Sequence, residues 1–194
     1  MGKLSAYSPI GGIPVLEVDE GIIPESEVIA EYLDDRYPDK SMLGESPWIR
    51  SQVRLVSRIA DVYLMNNIFM ALPQVNRKTR VDEVRDLLVG QVTRGMRALE
   101  QHIGQGDYAV GGKLTRADCT LVPALFLCER TVPMLDVENP ILATTHVAAY
   151  WEKIQSNEFA AKVLDEMDQG LRERQDGTER KRIEAAIAKQ KAQL

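Results

Sequence analysis

Two kinds of hydrophobic pattern follow one another along this 194-residue chain, and the change comes near residue 45. Before it, Ile13–Val18 is a short β-branched run, and Ile22 and Ile23 begin a second run that Pro24 ends. The turn residues Asp19–Gly21 separate the two runs, which predicts a β-hairpin. Apolar residues at helical spacing then predict a helix that ends before a proline at position 38; they are Val28, Ile29, Tyr32 and Leu33.

After residue 45 the spacing is helical almost to the end. Ser46 and Pro47 predict a helix start, with a serine N-cap and a proline at the first helical position. The apolar stripe of this helix is Ile49, Val53, Val56, Ala60 and Tyr63. A longer stripe follows, and Gly104 is predicted to end its helix; it consists of Val81, Val84, Leu88, Val92, Met96, Leu99 and Ile103.

Thr115 and Asp118 form a capping box at the start of the most apolar segment of the chain. From Cys119 to Cys128, every residue except Thr120 and a proline is apolar. A helix that is apolar on all sides is a buried one, so this segment is predicted to lie at the centre of the helical part.

Two more helices and a charged tail are predicted after this central segment. One helix opens at Asn139–Pro140 and runs through Ile154, and a shorter one carries Phe159, Val163 and Leu164. Residues 169–194 hold seven basic and four acidic residues, which predicts a solvated tail with a weak helix around Ile183 and Ile187. A disordered or frayed extension and a partner-binding segment are both open interpretations of this tail.

Composition narrows the classes of function. The 24 basic and 29 acidic residues give a net charge of -5, which disfavours a general nucleic-acid binder. Two cysteines and two histidines are too few for a disulfide scaffold or a multi-histidine metal site, so no metal is predicted. The longest uncharged stretch, residues 62–76, is shorter than the ~20 apolar residues of a membrane span, and no signal-peptide core is seen. We therefore expect a cytoplasmic, reduced protein with no membrane partner.

The hairpin and its following helix carry the most specific motif. Gly11–Glu17 reads G-G-I-P-V-L-E, and Glu25–Leu33 reads E-S-E-V-I-A-E-Y-L. Together they resemble the glutathione-binding half-motif of the glutathione transferase family, and the Thr115–Asp118 box resembles the capping box of that family's buried central helix. The resemblance covers about residues 4 to 168. It implies a mostly α fold, with a partial thioredoxin-like α+β domain at about 1–40 and an all-α domain at about 46–168, before the tail at 169–194.

The same resemblance implies a glutathione site at Ile13, Pro14, Glu25 and Ser26, and a cis peptide bond before Pro14. Physical reasoning supports these positions: backbone groups of Ile13 could pair with an extended peptide, and a helix N-terminus with the Ser26 hydroxyl suits a carboxylate. Glu25 suits an ammonium group. The structural interpretation stands beside this one, because Pro14 could end a loop in the trans form and Ser26 is predicted as a helix N-cap in either case.

Other polar residues have simpler structural interpretations. The capping box accounts for Asp118, so we expect the replacement Asp118→Ala to reduce stability without affecting chemistry. Cys119 and Cys128 are predicted to be inert core thiols. His146 is predicted to pack within its helix, and His102 to favour a helix C-terminus through its charge.

The thiol-activating residue of the family, a Ser, Tyr or Cys after a first strand, has no match here. Residues 3–10 resemble the loop before the proline strand, so Tyr7 and Ser8 do not occupy the catalytic position, and the catalytic residue is unknown. Three accounts fit: an internal methionine of a longer gene product, a truncated relative, or a strand edge repaired by dimerisation. We expect residues 1–194 alone to show little or no turnover and to self-associate.

The function implied by the resemblance is that of a glutathione transferase-type enzyme. It would use glutathione as co-substrate, conjugating it to a small hydrophobic electrophile or displacing a leaving group, and would form a homodimer. The alternative is a non-catalytic glutathione transferase-like module that acts in binding or assembly.

Overall fold

The computed structural model describes the backbone of residues 7–8 and 11–191 and the side chains of residues 7–8 and 11–189. The predicted loop at residues 3–10 therefore falls, apart from Tyr7 and Ser8, outside the described residues. The predicted hairpin is confirmed: β1 (Val15–Val18) pairs antiparallel with β2 (Gly21–Pro24), and Val15 lies opposite Pro24. Helix α1 (Ser26–Arg36) follows at once, and a short 3-10 turn, Pro38–Lys40, closes this N-terminal piece.

The helical part opens at α2 (Pro47–Ile59), where Ser46 is the N-cap as predicted and its hydroxyl accepts a hydrogen bond from the Ile49 N–H at 3.2 Å. The helix does not end at Tyr63, the last residue of its predicted apolar stripe. It continues through a π-helical segment (Ala60–Met65), α3 (Asn66–Ala71) and a 3-10 turn (Leu72–Val75). By length and composition alone, the run Pro47–Val75 is apolar enough to cross a membrane. Four of its apolar side chains, Val53, Val56, Leu64 and Ile68, are buried in the helical core. Others, such as Trp48, Phe69 and Met70, are exposed.

Helix α4 (Asp82–His102) and helix α5 (Arg116–Thr131) complete the centre of this part. The α4 helix lies so close to the π-helical segment that a Cβ built on Gly95 would stand 2.5 Å from the Cβ of Tyr63. Helix α5 is confirmed as the central, buried helix: most of its residues between Arg116 and Thr131 are buried, and it contacts helices on several sides.

The C-terminal helices differ from the prediction. Pro140–Ala143 is a separate 3-10 turn, and α6 (His146–Ile154) begins only after it. The helix expected to be shorter is α7 (Glu158–Gln175), which is 18 residues long. The helix predicted around Ile183 and Ile187 is present as α8 (Thr178–Lys191), which contacts α7 through ion pairs such as Arg182–Glu173, with N–O at 3.0 Å.

Candidate functional site

The hairpin brings Pro14 and Glu25 to the same end of the sheet, because the neighbouring residues Val15 and Pro24 are paired. The peptide bond between Ile13 and Pro14 is cis, as the resemblance implies, and not trans as in the structural interpretation. Ile13 is 81% exposed and precedes the first paired residue of β1; Pro14, Glu25 and Ser26 are also exposed. The four residues predicted for the site therefore lie around one open corner of the N-terminal piece.

The start of α1 differs from the prediction in one respect. Glu25, and not Ser26, is the N-cap residue, with φ 72° and ψ 117°, and Ser26 is the first residue of the helix. With this positive φ at Glu25 the chain turns from β2 into the helix, which begins at Ser26. With Ser26 as the N-cap, it would begin one residue later. Among the residues that the structure describes, no side chain caps this end of α1. Its first N–H groups and the positive end of its dipole are therefore suited to an anion.

A polar bridge joins α1 to the central helix α5. The Arg116 guanidinium donates from Nη2 to Glu27 Oε2 at 2.9 Å and from Nη1 to Asp34 Oδ2 at 3.0 Å. The Thr120 hydroxyl donates to the other oxygen of Glu27, Oε1, at 2.7 Å. The Met42 N–H donates to Asp34 Oδ1 at 2.8 Å. We call these five residues the α1–α5 bridge.

Charge explains why an arginine can be buried in this bridge. Residues 11–45 contain ten acidic and two basic residues, so the N-terminal piece is strongly acidic. Burial by itself lowers the pKa of Arg116, but its hydrogen bonds to Asp34 and Glu27 raise it more, and the net pKa lies above the ordinary value. The guanidinium is only 5% exposed and stays a cation between carboxylates.

Asp118 has the structural role that the sequence predicts, and more partners than a capping box requires. Its Oδ2 accepts from the N–H and the hydroxyl of Thr115, at 2.8 and 3.0 Å. Its Oδ1 accepts from the Ala109 N–H at 2.8 Å and from the Tyr150 hydroxyl at 3.1 Å. Burial and the neighbouring Asp118 carboxylate raise the pKa of Tyr150, so its hydroxyl keeps its proton and remains a donor. Asp118 thus ties a loop and α6 to the start of α5.

The two thiols do not share one environment. Cys128 is buried, as predicted, and burial raises the pKa of its thiol to about 12. Cys119 is exposed, which corrects the prediction of a core thiol, because its face of α5 turns towards an apolar depression beside Phe159 and Val163. Partial desolvation and the carboxylates of Asp118 and Glu27 raise its pKa, so it is not activated as a nucleophile.

His146 is half-buried at the start of α6, where its Nδ1 lies 3.3 Å from Glu100 Oε1. Glu100 accepts hydrogen bonds from the N–H groups of Thr145, His146 and Val147, and so caps α6 from α4. His102 is exposed at the end of α4, as predicted. Both histidines therefore occupy structural positions at helix ends.

Two family models match the chain at the two parts just described. The model for the glutathione S-transferase C-terminal domain matches residues 59–158, and the model for the N-terminal domain of that family matches residues 2–41. This chain belongs to the glutathione S-transferase family. The second match covers the hairpin and α1, and the first covers the central helix with its capping box.

Among its relatives, this transferase-family chain is 34% identical to a maleylacetoacetate isomerase of Pseudomonas aeruginosa over 149 residues, which are 74% of this chain and 69% of that protein. Probable maleylacetoacetate isomerases of Caenorhabditis elegans and Drosophila melanogaster are 29% and 28% identical, over 66% and 63% of this chain. The chain spans 61% and 54% of the length of these two relatives.

Solved structures share the fold. A glutathione S-transferase of Methylobacterium radiotolerans, in complex with glutathione sulfonate, matches with a TM-score of 0.70 and 17% identity, over 83% of this chain and 76% of that one. A bacterial maleyl pyruvate isomerase described as a zeta-class glutathione transferase matches with a TM-score of 0.63 and 20% identity, over 81% and 75% of the two chains.

The residues that sequence reasoning missed are those of the α1–α5 bridge. Arg116 is the second residue of the capping box, and it stands out as a charged residue at the start of an apolar helix. Glu27 and Asp34 are seven residues apart, which places them on one face of α1. Those two signals are present in the sequence. No local pattern, however, connects Arg116 with Asp34 and Glu27, which are 82 and 89 positions away from it.

Proposed function

We propose that this glutathione S-transferase family member binds glutathione as a co-substrate at the corner formed by Ile13, Pro14, Glu25 and Ser26. The observation that carries the proposal is the N-terminus of α1, which no side chain of the described residues caps and which lies beside the exposed start of β1. Three chemical features of glutathione fit three features of this corner. The fit supports the proposal independently of the solved relative that holds glutathione sulfonate.

Each proposed contact follows from the local geometry. The backbone of Ile13, ahead of the paired part of β1, suits the peptide part of the ligand as an added strand. The Ser26 hydroxyl and the first N–H groups of α1 suit its glutamyl carboxylate. The Glu25 carboxylate is exposed beside them and suits its ammonium group. These residues bind and orient the ligand, and Tyr7 and Ser8 have no part in the proposal.

When bound, glutathione supplies a thiol nucleophile that can conjugate an electrophile, displace a leaving group or add reversibly to an activated double bond. The similarity to maleylacetoacetate isomerases supports reversible addition to an activated double bond. The substrate class would then be a small unsaturated dicarboxylate or keto acid. The same relatives favour an enzyme over a non-catalytic assembly module. We propose a homodimer as the working form, because the sheet of the described residues has two strands and each of them is an edge strand that another chain could pair with.

The experiment that tests this proposal is calorimetric titration of the full chain with glutathione. We expect binding, and we expect Ser26→Ala to weaken it by about 1.5–3 kcal/mol, the usual cost of losing a hydrogen bond to a charged group. Ser156→Ala is the matched control, because the Ser156 hydroxyl is exposed at the end of α6 and bonds only to the Lys153 carbonyl in the described structure. Equal affinities for Ser26→Ala and the wild type would remove Ser26 from the site.

A further inference from the structure

The α1–α5 bridge lies directly behind the proposed glutamyl end of the site. Glu27 follows Ser26 in the first turn of α1, and both of its carboxylate oxygens are engaged by α5, one by Arg116 and one by Thr120. At the last turn of the same helix, Asp34 is held by the second nitrogen of the same guanidinium. One planar side chain therefore fixes both ends of α1 relative to the helical part.

Outside the bridge, α1 is joined to α2 by an exposed ion pair, in which Glu31 Oε1 lies 3.4 Å from Arg54 Nε. Asp34 is the only residue of α1 that is buried, and no residue of the hairpin or of α1 belongs to the hydrophobic clusters of the described structure. Apolar packing thus places only a loose constraint on the helix. Arg116 and Asp34, by contrast, have side chains only 6% exposed, so their geometry is held by the surrounding core.

Electrostatics gives the bridge a second effect on the site. Glu25, Glu27 and Glu31 all lie in or beside the first turns of α1, where an anionic ligand would meet their repulsion. Arg116 and Thr120 satisfy both oxygens of Glu27 and turn its carboxylate towards α5. The positive end of the helix dipole is then left to act on a ligand at Ser26.

We propose that Arg116 is a positioning residue for the glutamyl end of the glutathione site, and that it acts through Glu27 with the help of Thr120. This inference rests on the proposed function. Arg116 does not touch the ligand; it holds the first turn of α1 so that Ser26 and the helix N–H groups meet the ligand's carboxylate, and it offsets the charge of Glu27.

The test is the dissociation constant of glutathione, measured by calorimetry on full-chain variants. We expect Arg116→Lys to raise the constant about tenfold, because an ammonium group keeps the charge but cannot span two carboxylates. We expect Thr120→Val to raise it about threefold, because it removes the hydroxyl with little change in shape. Thr120→Ser restores the hydroxyl, and we expect wild-type affinity from it.

Two controls separate positioning from a general loss of stability. Arg130→Lys makes the same replacement on the same helix, at an arginine that pairs with Asp168 on the surface, and should leave the affinity unchanged. Glu100→Gln weakens the cap of α6, far along the chain from the site, and should lower the melting temperature without changing the affinity.

The outcomes are distinguishable. A wild-type chain that does not bind glutathione overturns the proposed function, and this inference with it. A wild-type chain that binds, together with Arg116→Lys and Thr120→Val variants that melt earlier but bind equally well, overturns the inference alone. If Thr120→Ser does not restore the affinity that is lost in Thr120→Val, the hydrogen bond from the Thr120 hydroxyl to Glu27 is not the cause of that loss.

Discussion

Residues 46–175 bury many apolar side chains in one large cluster and one small one, whereas Asp34 is the one buried residue of the stretch 11–40. The proposed site belongs to the second region, which is the one with the weaker packing. The two regions meet through the α1–α5 bridge, a set of charged and hydrogen-bonded groups with defined directions. A binding corner can therefore be built on a weakly packed piece of structure when directional polar contacts orient it against a well-packed one.

The largest expected effect is the loss of unfolding free energy when a leucine of the helical region is replaced by alanine, compared with the same replacement in the N-terminal piece. Leu125 is fully buried in α5, and Leu125→Ala should lower the free energy of unfolding by about 2–5 kcal/mol, since it leaves a cavity in the core. Leu16 in β1 is only half-buried, and Leu16→Ala should cost about 1 kcal/mol. Denaturant unfolding followed by tryptophan fluorescence measures both. Equal costs would mean that the N-terminal piece has a core of its own.

The second prediction concerns the hydrogen bonds of the helical region. Asp118→Ala leaves four buried donors without their acceptor, on Thr115, Ala109 and Tyr150. Unsatisfied buried donors cost about 1–3 kcal/mol each, and relaxation recovers part of this, so we expect a loss of about 3 kcal/mol. That exceeds the ~1 kcal/mol of an ordinary helix cap. Thermal melting and a glutathione titration should show lower stability with unchanged affinity; the reverse result would place Asp118 in the site.

The third prediction is a pH dependence of the helical region. Burial raises the pKa of Glu100, but the N–H groups of His146, Val147 and Thr145 lower it more, and the net pKa lies below the ordinary value. A carboxyl group with a lowered folded pKa contributes stability above its unfolded pKa. That contribution is lost as the pH falls through the folded value.

Unfolding free energies of the wild type and Glu100→Gln, measured from pH 7 down to about pH 3, check this prediction. We expect the variant to be about 1 kcal/mol less stable at neutral pH, the size of a helix cap. The gap should close under acidic conditions. A constant gap at every pH would mean that the charge of Glu100 does not matter to the cap.

The smallest expected effect lies in the tail. Arg182 on α8 pairs with Glu173 on α7, but the Arg182 side chain is 68% exposed. Exposed ion pairs contribute about 0–1 kcal/mol, so Arg182→Ala should change the melting temperature little, in contrast to Arg116→Lys in the buried bridge. Helicity measured by circular dichroism at low and high salt would detect the small loss. A large loss would show that α8 depends on this pair.

Much of the fold was determined by local sequence alone. The hairpin with its turn at Asp19–Gly21, the Ser46–Pro47 helix start and the apolar helix after Thr115 all follow from spacing and turn chemistry, and the structure confirms each of them. These features could be predicted because their physical causes act over a few residues. The predicted site residues have a different source: they are implied by the resemblance of Gly11–Glu17 and Glu25–Leu33 to the family's glutathione-binding motif, and they stay a prediction.

The way in which these pieces are joined depends on long-range contacts. The π-helical continuation after Ile59, the length of α7 and the exposure of Cys119 depend on which faces the neighbouring helices cover. The α1–α5 bridge depends on contacts between residues more than 80 positions apart, and neither α1 nor α5 contains a local preference for that contact. A charged residue such as Arg116 takes its role from the carboxylates that folding brings to it, and short-range patterns carry no information about those partners.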